Sequence, residues 1–192
     1  MIIPESVTFE EAIALTQSLM SQMGAGELSP PESAEAITQL VKTENGARGF
    51  FVTYLTSEGT LADTPSPAVI QALQSSPATV AELLVKNLAM SAAMAVTHRR
   101  NQDESMAQGS DKVRSRTIRL IEQIELPQVR ELALALRESA LTGAGTYKRF
   151  LQTWGYDAEQ RQVICQALDR VIPKVPENNP NPEVSENPHL DQ

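Results

Sequence analysis

Cysteine is nearly missing from this sequence, with Cys165 alone among 192 residues. One thiol allows no intrachain disulfide and no cysteine-ligated metal cluster within a chain, which suits a reducing compartment. Aromatic residues are scarce, at 4%. The core must therefore be built from Leu, Ala, Ile, Val and Met, a mixture that favours helices over sheets. Histidine occurs at two positions, His98 and His189. No Asp or Glu lies one helical turn from His98 on its own face to orient it, and no catalytic triad is visible. The start of the chain, MIIPESVTFEEA, lacks the basic region and apolar run of a signal peptide. No uninterrupted apolar stretch approaches the length of a membrane span. The expectation is a cytoplasmic protein without a span.

The chain has the length of one ordinary domain with a real core. Its net charge of -8 argues against a surface that seeks nucleic acid or anionic membrane as a whole. The longest run that is apolar on nearly every side is TVAELLVKNLAMSAAMAVTH, residues 79–98. At about 100° per residue, only Glu82, Lys86, Ala93 and Thr97 fall on a strip for water. Val80, Leu83, Leu84, Leu88, Met94 and Ala95 build a broad apolar face that also carries Asn87, Ser91 and His98. The fold expected is all-α, a single-domain bundle of about seven or eight helices around this central one. Residues 1–172 form the helical domain. Residues 173–192 hold five of the twelve prolines and little apolar content, and are expected to be a disordered acidic tail because they cannot repay the entropy of ordering.

Start and stop signals place the other helices. Thr8 with Glu11 and Ser29 with Glu32 are capping boxes, the second reinforced by Pro30. Residues 46–59 contain strand-favouring Phe50, Phe51, Val52 and Tyr54. However, Ala47, Phe50, Phe51, Tyr54 and Leu55 recur at helical spacing, with no strand elsewhere to pair with them. Ser66 and Pro67 open a short helix, Thr79 with Glu82 the central one, and Pro127 another that stops at Gly143. NQDESMAQGS, residues 101–110, reads as a frayed end or loop before a helix starting near Ser110. TYKRFLQTW is a short helix. Asp157 and Gln160 cap the last one, which runs to Pro173.

Charge supplies the clearest candidate site. Between Arg99 and Arg119 six basic residues face three acidic ones, a local +3 that leaves -11 for the rest of the chain. Lys112, Arg116 and Arg119 align on one helix face beside the apolar stripe, and Arg99 and Arg100 follow the central helix. Arginine suits bidentate contact with carboxylates or phosphates. The plain alternative is a solvated face paired with the chain's own acids. The glycines of TGAGTYKR, residues 142–149, match no phosphate-binding fingerprint and suit two helix caps. No cofactor or metal is assigned. The aromatics fall into two sets, Phe50, Phe51 and Tyr54, and Tyr147, Phe150, Trp154 and Tyr156, expected to meet in one corner of the core, the alternative being an exposed anchor for a partner.

Three classes of function remain. The leading one is a non-catalytic helical interaction or regulatory protein whose partner presents an acidic surface. The second is a phosphate or nucleic-acid binder using residues 99–119. The third is an enzyme with a pocket near His98.

Overall fold

The computed structural model describes residues 3–172, and the expected tail at 173–192 lies outside them. The described residues form nine helices: α1 (Phe9–Ala25), α2 (Pro30–Val41), α3 (Glu44–Thr56), α4 (Pro67–Gln74), α5 (Pro77–Arg100), α6 (Glu104–Ile124), α7 (Pro127–Thr142), α8 (Lys148–Trp154) and α9 (Ala158–Leu168). The fold is all-α around a central apolar helix, α5, which packs against α3, α4, α6, α7 and α9. On one side α1 lies on α3, and α2 on α3 and α4; on the other, α7 joins α8 and α9. One continuous core runs from Val7 to Leu168.

Local chemistry explains most boundaries. Thr8 with Glu11, Ser29 with Glu32 and Asp157 with Gln160 each satisfy two backbone donors reciprocally. Residues 46–56 are helical, and their helix is capped by Thr43, whose hydroxyl accepts from the Gly46 amide. Gly143 and Gly155 take the left-handed conformation that ends α7 and α8.

Several boundaries differ from the sequence expectation, among them the start of α8 at Lys148 and three others. Helix α5 begins at Pro77, not Thr79, and Glu82 makes no capping box. Its carboxylate instead accepts a 2.6 Å hydrogen bond from the Tyr147 hydroxyl and pairs with Lys86. Helix α6 begins at Glu104, because Asp103 accepts from the Met106 amide and caps a turn that composition alone assigned to a loop. Helix α9 stops at Leu168, short of Pro173.

The exposed strip of α5 also differs. Ala93 is fully buried, because α9 packs over it and the Gln160 amide donates to the Ala93 carbonyl and to the Thr97 hydroxyl. The half-buried face instead includes Asn87, Met90, Met94 and His98. By length and composition α5 is the one described helix apolar enough to cross a membrane, and 56% of its apolar window is packed inside the fold. Burial of that kind is what a core helix requires.

Close approach between α1 and α3 depends on Gly49. A Cβ there would sit 2.5 Å from the Ala12 Cβ and 3.0 Å from its backbone carbonyl carbon. Gly→Ala inside a helix ordinarily gains up to about 1 kcal/mol from propensity, but overpacking costs about 1–3 kcal/mol. Gly49→Ala is therefore expected to lower stability in urea titration. A neutral or stabilised variant would show that α1 and α3 are not locked at this contact.

Candidate functional site

The five basic residues singled out by charge occupy three different environments. Arg116 is not on the surface, being only 1% exposed. Each of its five N–H groups has an acceptor. Nε donates to Asp63 Oδ1 at 2.8 Å and Nη2 to Asp63 Oδ2 at 2.9 Å. Nη1 donates to the carbonyls of Leu55 (3.0 Å) and Ser57 (2.7 Å), and Nη2 to that of Gly59 (2.7 Å). Arg116 thus caps the C-terminal end of α3, where the helix dipole favours a cation, and folds the following loop onto α6. The Arg116 guanidinium holds the Asp63 carboxyl below its usual range. Tyr54 secures the same loop, its hydroxyl donating to the Leu61 carbonyl at 2.9 Å. Burial pushes its phenol pKa up.

Arg99 and Arg100 are held by the chain's own acids. Arg99 bonds Asp111 and Glu104, and Arg100 bonds Asp157 and Glu159, tying the end of α5 to the starts of α6 and α9. These pairs are exposed and screened, so they orient more than they stabilise. Lys112 and Arg119 are the more available cations. Lys112 lies 3.6 Å from Glu58, a side chain fully open to solvent. Arg119, half exposed, donates to the Asp63 carbonyl at 3.2 Å.

Two grooves adjoin along the end of α3 that Arg116 caps. One, of about 800 Å³, runs between α1 and α3 and is closed at one end by residues 57–61. Ile13, Met20 and Met23 supply its apolar wall. The other, of about 440 Å³, lies between α3, α5 and α6 and contains Met90, Met94 and Met106. Val52, Thr56 and Glu58 line both. Val52 is 42% exposed and Met106 54%. The sequence has six methionines, and all but the first residue lie on these two grooves. Helical periodicity places Met94 on the apolar face of the central helix, since it registers apolar character and not what packs against it. The only sequence cue was the pairing of Met20 with Met23 and of Met90 with Met94 on single helix faces, in a chain poor in aromatics.

Asn87, Ser91 and His98 do share one face, and it opens into the second groove. The Ser91 hydroxyl donates to the Leu88 carbonyl at 3.1 Å, within its own helix. Residues 142–149 form consecutive caps. Gly145 stands where a Cβ would meet Ser139 Oγ at 2.9 Å, and that hydroxyl accepts from the Tyr147 amide. The aromatic sets stay separate, Phe50 stacking on Tyr54 in the core and Trp154 on Tyr156 near the surface. No group of three or more His, Cys, Asp or Glu among the described residues is placed to hold a metal.

Residues 8–171 match the model of a family described as "Uncharacterised conserved protein UCP020893", and the chain belongs to that family. No curated protein and no solved structure matches it.

Arg116 and Arg119 are expected to respond very unequally to charge reversal. Arg116→Glu places a carboxylate against Asp63 and three carbonyls, and leaving a buried ionic partner unmatched costs about 3–5 kcal/mol; Arg119→Glu should change stability by less than about 1 kcal/mol. Denaturant midpoints of the two variants check this. Equal, small effects would contradict the buried role of Arg116.

Proposed function

We propose that this is a non-catalytic, cytoplasmic helical interaction protein that receives an amphipathic helix of another protein on the methionine-lined surface either side of Val52. The observation that carries the proposal is the gathering of all five later methionines onto two adjoining open grooves. Methionine is flexible and polarisable, and it is favoured on surfaces that must mould to a partner. An exposed apolar groove with a polar rim is a common seat for an amphipathic helix. The partner's polar flank is acidic in this proposal, because the loosely paired Lys112 stands at the rim of the second groove. Arg119 lies on the same helix as Lys112.

Two other readings draw less support. A phosphate or nucleic-acid grip by residues 99–119 would need Arg99, Arg100 and Arg116 to leave carboxylates that already hold them. An active site at His98 would rely on Ser91, whose hydroxyl is committed to a backbone carbonyl.

Met94→Glu and Val52→Asp each place a charge on the proposed contact at positions that are not fully buried. Both should fold, and each should weaken association more than about tenfold, since an unpaired charge in an apolar contact is strongly disfavoured. The check is recovery of a partner by the wild type and both variants, followed by methyl spectra of methionine-labelled protein with that partner. Shifts at Met90, Met94 and Met106, lost in the variants, support the proposal. Equal recovery by all three would refute it. Association that collapses with salt and ignores both substitutions would move the reading to nucleic acid.

A further inference from the structure

A separate pocket of about 740 Å³ lies between the end of α7 and α9, away from the methionine grooves. Arg161 lines it, half-buried and with no carboxylate within 4.0 Å among the described residues. That is unusual in this chain. Arg99, Arg100, Arg114, Arg116, Arg119 and Arg137 all have carboxylate partners, while Arg48, Arg130, Arg149 and Arg170 are exposed. The Arg161 side chain is nonetheless anchored, Nε donating to the Tyr156 carbonyl at 3.1 Å.

Tyr156 forms another part of the wall. It is 4% exposed, and its hydroxyl, without a hydrogen-bond partner among the described residues, is closed off from the pocket. Burial pushes its pKa up to about 12, so the hydroxyl remains a donor. The unpaired, half-desolvated Arg161 guanidinium favours an anion. Ala140, Leu141 and Ala158 give the pocket an apolar side. An inorganic anion would leave that side unused.

We infer that this pocket binds a small organic acid, its carboxylate on Arg161 and its apolar body against Leu141 and Ala158. The chain carries its own reporter. Trp154, the single tryptophan, stacks on Tyr156 with ring centroids 6.5 Å apart and planes 10° from parallel.

The test is titration of the full chain with 2-hydroxy-4-methylpentanoate, read by Trp154 fluorescence, with 3-methylbutylamine and inorganic phosphate as controls. The expected result is a saturable change with the hydroxy acid and none with the amine. Arg161→Gln should weaken it by at least about tenfold, the worth of a charge-assisted hydrogen bond. Leu141→Asp, which puts a carboxylate on the apolar side at an exposed position, should weaken it several-fold. No saturable change at millimolar concentrations overturns the inference, as does binding indifferent to Arg161→Gln or matched by phosphate. Should Arg161→Gln fail to fold by circular dichroism, Leu141→Asp and the amine control decide the matter alone.

Discussion

Burial of the Arg116 charge is the constraint on which the surface of this protein depends. A guanidinium removed from water is tolerated only when all its donors are met, and here they are met by Asp63 and by the carbonyls of Leu55, Ser57 and Gly59. These acceptors lie on or just beyond the end of α3. Satisfying one side chain of α6 therefore fixes the path of the chain from 55 to 63. A buried ion pair adds little stability over a well-packed apolar equivalent, but it excludes alternative arrangements that would strand a charge. Its effect is specification. Because residues 57–61 wall the first groove and Glu58 borders both, the shape of the candidate surface follows from it.

The central helix shows the complementary arrangement. Alanines at 81, 89, 92, 93 and 95 are all buried, and small side chains let neighbouring helices come close. On that packed side the contacts are specific, as in the Gln160 amide that meets Ala93 and Thr97. On the other side α5 presents Met90 and Met94 to an open groove. One helix thus combines a tightly fitted back with an adaptable front, and methionine provides the adaptability because its unbranched chain repacks at little cost.

How far this was legible in the sequence varied with the range of the interaction. Capping boxes at Thr8, Ser29 and Asp157 involve residues three apart, so their helix starts could be read directly. The helical reading of Phe50, Phe51 and Tyr54 also held, because their spacing reflected a real buried face. The start of α6 was missed since its polar first turn is carried by the Asp103 cap, not by apolar periodicity. Arg116 was read as solvent-facing because its partners Leu55, Ser57, Gly59 and Asp63 are more than fifty positions away. Periodicity places a residue on a face; it cannot tell whether another segment covers that face. The same limit hid the opening beside Met94 and the closure over Ala93.

Hydrogen exchange of the 57–63 loop in Asp63→Ala protein tests the central claim most directly. Asp63 and Thr64 donate to the Thr60 carbonyl, so their amides report whether the loop stays folded. With one ionic partner gone, protection at these amides and at the end of α3 should fall well ahead of that in α5, because the loop is released before the core. Unchanged protection in residues 57–63, or a uniform loss across every helix, would contradict the account that Arg116 and Asp63 set this part of the surface.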